Sequence, residues 1–437
     1  MSIKIYKPTE YGASADGKTI CTKEIQKAVD DAAKTGECVI LDKGIYLTGS
    51  VFIKSNVEFR IEEGAELRGI MDEESYPDVW SRVAGVEMKW PAGLLNVINE
   101  KNVKITGKGL INGQGEYWWN KYWGKDKKGG MRKNYESKDL RWLVDYDCKR
   151  PRNIIIWDSS YVLLENLTII KSPFWNVHVC YSENINIKGL IIKENEGPST
   201  DGIDIDSSRN ILVEKCYIEC NDDNICIKSG RDADGLRVNR PCENVTIKDC
   251  ETGLGEGITI GSETSGGVKN IEIWNIRANK TTNGIRLKSA KTRGGVIKDI
   301  KIHNINMIDV PNPFIFNLNW NPSYSYCEIP KDYKAPIPEY WKVLSTPVSS
   351  ELGIPEFRDI QISNVNVSNS VVAFKVDSFK EKPIKNLEFK NVKIKSIRAG
   401  YIKNAKNWKM TDVSLSIEDK EQVKLENCIN VELPQIV

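Results

Sequence analysis

Short runs of alternating apolar and polar residues return along the chain, each opened by Asn or Asp. They include Asn102-Val-Lys-Ile, Asn184-Ile-Asn-Ile, Asn210-Ile-Leu-Val, Asn244-Val-Thr-Ile and Asn270-Ile-Glu-Ile, followed by Asp299-Ile-Lys-Ile, Asp359-Ile-Gln-Ile and Asn386-Leu-Glu-Phe. Period-two alternation gives each strand one apolar and one polar face. Most runs lie about 24 to 34 residues apart, the scale of one solenoid turn made of several short strands. A lone strand of this kind cannot shelter its apolar face, whereas coils stacked in register shelter all of them. Recurring Asn at one phase fits a ladder at a turn, because Asn tolerates left-handed backbone and its amide can bond the next coil. The pattern predicts an all-β, single-domain parallel β-helix, with a cap and first coils over about 1–70 and the main solenoid over about 100–430.

One helix stands out, at about Thr22 to Lys34, with apolar Ile25, Ala28, Val29 and Ala32 on one face, Thr22 as its expected cap and Gly36 as its stop. Placed before the first coil, it would close the open end of the core. Three segments break the repeat, at about 71–100, 113–150 and 311–356. They hold Trp118, Trp119, Trp123, Trp142, Trp320, Tyr324, Tyr326 and Trp341, rings that either stack on sugars or pack the loops onto the solenoid.

A second register is sharper. Gly202-Ile-Asp-Ile-Asp-Ser207, Asn224-Ile-Cys-Ile-Lys-Ser229, Gly257-Ile-Thr-Ile-Gly-Ser262 and Gly284-Ile-Arg-Leu-Lys-Ser289 share one pattern. As one strand in successive coils, equivalent residues lie about 4.8 Å apart. Asp201, Asp223, Glu256 and Asn283 then form a column, with Asp222 beside it and Arg286 and Lys288 on the same face. Like charges so close cannot all ionise cheaply, so at least one carboxyl must hold its proton. Carboxyls with separated pKa values suit glycoside hydrolysis, which needs an acid for the leaving oxygen and a base for water. Solvated strand-end acids and a calcium site are the competing explanations, and the two neighbouring cations favour an anionic ligand over a metal.

Composition narrows the partners. Sixty-two Lys and Arg balance 60 Asp and Glu, without a long block of one sign, so no nucleic-acid surface is expected. No stretch reaches the roughly 18 apolar residues of a membrane span. The 11 cysteines form no CxxC pair, and several, such as Cys180, Cys216, Cys226 and Cys250, fall inside apolar runs. Buried free thiols are expected. With two histidines, zinc is not expected, nor is any cofactor. The segment beginning Met1 lacks the apolar centre of a secretion signal, so a cytoplasmic location is the expectation.

Ser199-Thr-Asp-Gly202, Asn221-Asp-Asp223, Gly255-Glu-Gly257 and Arg286-Leu-Lys288, in this order, resemble the four signature motifs of the polygalacturonase family of glycoside hydrolases, family 28, in particular its bacterial exo-acting and rhamnogalacturonan-type branch. Ser172-Pro-Phe-Trp175, Ile260-Gly-Ser-Glu263, Asn112-Gly-Gln-Gly115 and Trp320-Asn-Pro-Ser-Tyr324 extend the likeness over nearly the whole chain. The resemblance implies a right-handed β-helix and inverting hydrolysis of pectic oligosaccharides. It implies Asp222 as general acid, Asp201 and Asp223 as the groups that hold and deprotonate water, and Arg286 and Lys288 as the grip on a uronate carboxylate. Inversion calls for roughly 6.5–9.5 Å between acid and base, which differing side-chain directions in adjacent coils could supply.

Three positions depart from the family pattern. Ser199 stands for Asn, Asn221 for Gly and Glu256 for His. The last adds a negative charge beside the acid, so Glu256 is expected either to raise the acid's pKa or to bind a sugar hydroxyl, and rhamnogalacturonan-type substrates stand beside plain galacturonate chains. His178 is read as a sugar contact or a structural residue, and His303 as structural. Two further readings of the same fold are a polysaccharide lyase, with Arg286 or Lys288 as base, and a non-catalytic glycan-binding solenoid. Long insertions walling one end of a groove favour release from a chain end.

Overall fold

A computed structural model describes residues 4–437, so Met1, Ser2 and Ile3 of the leader reading lie outside the described residues. The period-two runs do stack. Three columns of parallel strands wind as a right-handed β-helix, the hand usual for parallel strands joined by crossovers. One column contains Leu95–Ile98, Ile154–Trp157, Val177–Cys180, Ile203–Asp206, Ile225–Lys228, Ile258–Ile260, Asn283–Lys288 and Asn312–Asn317. Its register runs Val177, Ile203, Ile225, Ile258, Ile285, Phe314, so the Ile-x-Ile/Leu pattern marks true structural equivalents. These apolar side chains fill the solenoid interior almost without exposure, each contributing about 1.5–3 kcal/mol by burial.

Asn184, Asn210, Asn244 and Asn270 occupy one turn position, all with φ between 55° and 58°. The Nδ2 groups of Asn210, Asn244 and Asn270 each donate to the Oδ1 of the Asn in the coil before, at 3.1, 3.0 and 2.7 Å. Asn suits the site twice over, since it accepts left-handed backbone and carries a donor and an acceptor for its two neighbours.

The helix Thr22–Ala33 buries Ile25, Ala28, Val29 and Ala32 against the first coil. Thr22 is its first residue and not its cap; the cap position is Cys21, which makes no side-chain capping bond. The Thr22 hydroxyl instead accepts from the Gly49 amide at 2.8 Å and ties the helix to the coil beneath. Gly36, at φ 72°, ends the segment with its N–H bonded to the Ala32 carbonyl.

The three interruptions carry structure of their own, and their inner edges are narrower than expected, because Leu95–Ile98 and Asn312–Asn317 already belong to the column. The first is an antiparallel hairpin, Asp78–Val83 with Val86–Pro91. The second folds into helices Glu116–Trp123, Gly130–Glu136 and Val144–Asp147, and the third into helices Pro322–Ser325, Glu339–Leu344 and Ser350–Gly353. Helix is therefore more frequent than the alternation suggested. Trp90, Trp142, Tyr146, Trp175, Tyr324 and Trp341 join all three segments in a second hydrophobic cluster outside the barrel. Trp118, Trp119, Trp142 and Trp341 are buried, so packing and not sugar stacking is their role. A fully buried pair, Arg82 Nη1 to Asp206 Oδ1 at 3.0 Å, pins the hairpin to the column. Among the described residues no helix is long and apolar enough to cross a membrane. All 11 cysteines are free thiols, nine of them buried.

Candidate active site

Because the register is unbroken, Asp201, Asp223, Glu256 and Asn283 lie two residues before Ile203, Ile225, Ile258 and Ile285 on one corner of successive coils. Asp222 sits beside them, half-buried. One carboxylate oxygen from each of Asp201, Asp222 and Asp223 lies within 4.8 Å of the others. These nearest-oxygen separations are shorter than the roughly 6.5–9.5 Å expected between an inverting acid and base, because all three leave the same corner of two adjacent coils, so the stereochemical outcome rests on the family resemblance and not on this spacing.

Asp223 is fully enclosed. Thr259 donates its hydroxyl to Oδ1 at 2.6 Å, Lys288 Nζ donates to Oδ2 at 2.7 Å, and Arg286 Nη1 lies 3.4 Å from Oδ1. Arg286 also donates to Glu256 Oε2 at 3.0 Å, and Asn283 Nδ2 donates to the same oxygen at 2.6 Å. Glu256 thus draws Arg286 away from full engagement with the Asp cluster.

These contacts separate the carboxyls electrically. Burial pushes Asp223 up, but Lys288, Arg286 and Lys228 outweigh it and hold it below the usual carboxylate range. Burial and the charge of Asp223 push Asp222 up to about 6 against the pull of Lys288 and Arg286. Asp201 is driven well up by burial, Asp204 and Asp222, with Lys228 opposing. The corner therefore holds one firmly ionised carboxylate and at least one proton shared between its neighbours near neutral pH. Three such oxygens have the spacing of a metal site, yet Lys288 and Arg286 already supply the positive charge a cation would bring.

Lys228 is a site residue that the pattern contained unread. It occupies the same phase of the repeat as Lys288, and its Nζ lies 3.9 Å from Asp201, 3.5 Å from Asp204 and 3.3 Å from Glu263. Arg141, Asp145 and Glu263 also line the cavity over the Asp cluster, with Ser199, Trp175, Trp320 and Tyr324. Arg141 and Asp145, both from the second inserted segment, carry no periodic signal. Trp320 places its ring 4.5 Å from Lys288 Nζ. His178 does not reach this cavity. Its side chain has no exposed surface, and Trp175 meets it edge-on at 4.9 Å, so direct contact with a sugar is replaced by a place beneath the floor. Burial and nearby Arg152, Lys228 and Arg82 keep its imidazole neutral. His303 stacks on Trp274 on a different column, apart from the cavity.

A carboxyl with a raised pKa, beside an ionised carboxylate held by cations, in a cleft on a parallel β-helix, is the arrangement found in the glycoside hydrolase class. Residues 47–332 match the family described as Glycosyl hydrolases family 28, and the chain belongs to that family. A probable polygalacturonase of Vitis vinifera is 32% identical over 68% of this chain, and the match spans 60% of that relative's length. A hyperthermoactive exopolygalacturonase from Thermotoga maritima has a similar structure, with a TM-score of 0.76, 25% identity, and coverage of 99% of this chain and 93% of that one. The family 28 exopolygalacturonase of Yersinia enterocolitica shares the fold at a TM-score of 0.81 and 20% identity, over 99% of this chain and 79% of that one.

Proposed function

We propose that this protein hydrolyses α-linked, galacturonic-acid-containing pectic oligosaccharides with inversion, releasing units from a chain end. Asp222 gives its proton to the glycosidic oxygen as the bond from the anomeric carbon breaks. Asp201 and Asp223 hold a water, which loses a proton to one of them as its oxygen attacks that carbon. Arg286 and Lys288 take the uronate carboxylate next to the scissile bond, and His178 supports the floor from below. The observation carrying this reading is the split between a raised Asp222 and a depressed Asp223 on adjacent residues. The Vitis and Thermotoga relatives are named for the same class of substrate. Chain-end action is supported by the lining of the cavity by Arg141, Tyr324 and Trp320 from the inserted segments.

The test is product analysis on pectic oligosaccharides, with the new reducing end followed by proton NMR. Wild type should release β-configured ends first, and Asp222→Asn should lose about 10²- to 10⁴-fold in kcat. An α-configured first product would make Asp201 or Asp223 a nucleophile and end the inverting assignment. Unsaturated, ultraviolet-absorbing ends would identify a lyase, and binding without turnover a glycan-binding solenoid.

A second reading rests on Glu256. With its carboxylate on Arg286 at 3.0 Å, the cation is partly neutralised and the leaving-group side accepts a neutral sugar more readily. Rhamnogalacturonan fragments belong in the same assay for that reason.

A further inference from the structure

The cations nearest the Asp cluster lie against its own carboxylates, and one further cation stands at the wall of the cavity, paired to a residue of its own inserted segment. Lys288 is bonded to Asp223, Arg286 is divided between Asp223 and Glu256, and Lys228 lies among Asp201, Asp204 and Glu263. Arg141, from the inserted helical segment, lines the same cavity and is partly open, with 18% of its side chain exposed. Among the described residues its one side-chain hydrogen bond runs from Nη1 to Asp145 Oδ2, at 2.7 Å, and its Nε lies 3.8 Å from Glu136 Oε1.

The mount is rigid. Asp145 also accepts from the Tyr122 hydroxyl at 3.0 Å and the Ser199 hydroxyl at 3.4 Å. The Arg141 guanidinium lies over the Tyr324 ring, 5.6 Å from its centroid. A guanidinium held this way has little freedom left to lose when it meets a carboxylate. Ser199 is where this chain departs from the family's Asn, so the departure falls on the residue that touches the Arg141 mount.

Arg141 is also a partition. On its far side runs a second groove that includes Glu136, Asp139 and Glu328. Three carboxylates there repel a polyuronate, while Arg141 attracts one from the cavity side.

We propose that Arg141 is the end-reading specificity residue of the cleft: it receives the carboxylate of the terminal uronic acid and blocks the chain from continuing into the acidic groove beyond. This deepens the pectic-hydrolase reading and rests on it. The class of ligand is an oligosaccharide whose terminal sugar, at the walled end, is a uronic acid.

The test uses the full chain and compares wild type with Arg141→Ala, Arg141→Gln and Arg141→Lys, each checked for an unchanged melting temperature. Substrates are trigalacturonate, the same trimer with its carboxyls reduced to alcohols, and polygalacturonate. Loss of a charge-assisted contact should raise KM for trigalacturonate about 10- to 100-fold in the Ala and Gln variants, with kcat within about threefold. Lys should recover part of the loss. On the reduced trimer, wild type should already bind weakly, and the substitutions should add nothing. Arg141→Ala, which removes the wall, should turn short products from polygalacturonate into a spread of sizes. Arg141→Gln keeps bulk at the wall, so a fold lost only in the Ala variant still leaves the charge effect readable. KM values within twofold of wild type in both uncharged variants would overturn the inference. Failure of wild type on every galacturonate substrate would instead overturn the functional reading on which it stands.

Discussion

Under the proposed mechanism Asp222 gives a proton and Asp223 acts as an ionised carboxylate; the acid form of Asp222 is lost as pH rises through about 6. Asp223 is needed ionised and already is, well into acid, because Lys288 and Arg286 hold it there against burial. The sign follows: kcat/KM should hold through mildly acidic pH and fall above about 6, and a pH–rate profile on trigalacturonate reads it directly. A profile rising from pH 6 to 8 would remove Asp222 as the acid. Glu256 acts on the same group, since its charge helps raise Asp222. Glu256→Gln should therefore move the alkaline fall to lower pH, and by releasing Arg286 it should lower KM for galacturonate oligomers about 3- to 10-fold. Profiles of Glu256→Gln and Glu256→His that both match wild type would deny Glu256 any part in the reaction.

At the scale of the element, the unit is the strand repeated in register. Asn210 accepts one ladder bond, donates another and sits at φ 57°, so Asn210→Ala loses two amide contacts and places a β-carbon in left-handed backbone. A loss of about 1–3 kcal/mol in chemical denaturation is expected, with catalysis little changed. Much of this scale was legible beforehand. The Ile-x-Ile/Leu-x-Ser pattern determined which residues would be neighbours, because a period-two strand with one buried face admits a single register. Lys228 was legible by the same rule through its phase with Lys288. Arg141 and Asp145 were not, since helices packed by scattered Trp and Tyr side chains leave no period to read. Nor was the depth of His178, because a polar residue on the outer face is exposed or covered according to what the hairpin and Trp175 do above it.

Over the whole molecule, the solenoid supplies a rigid column and the three insertions supply the enclosure. Their shared cluster of Trp and Tyr holds hairpin and helices as one wall, pinned from below by the buried Arg82–Asp206 pair. Removing one partner of such a pair strands a charge in the interior at about 3–5 kcal/mol, so Arg82→Ala should destabilise the hairpin's seat on the column. The proposed chain-end action makes its own prediction at this scale. During digestion of polygalacturonate, reducing ends should accumulate early while viscosity stays high; a steep early fall in viscosity would mean internal cleavage.

Coils that contact only their immediate neighbours also make this molecule a stack whose storeys can be counted, from the floor of Asp201 up to that of Lys288. Lifting out the storey that bears Glu256 would spare the masonry above and below. It would bring the arginine one level closer to the acids, and the departed glutamate would no longer stand between them. The same lift would carry away Thr259, the hydroxyl that bonds Asp223, so a lost floor changes both the grip on the ligand and the support of its carboxylate.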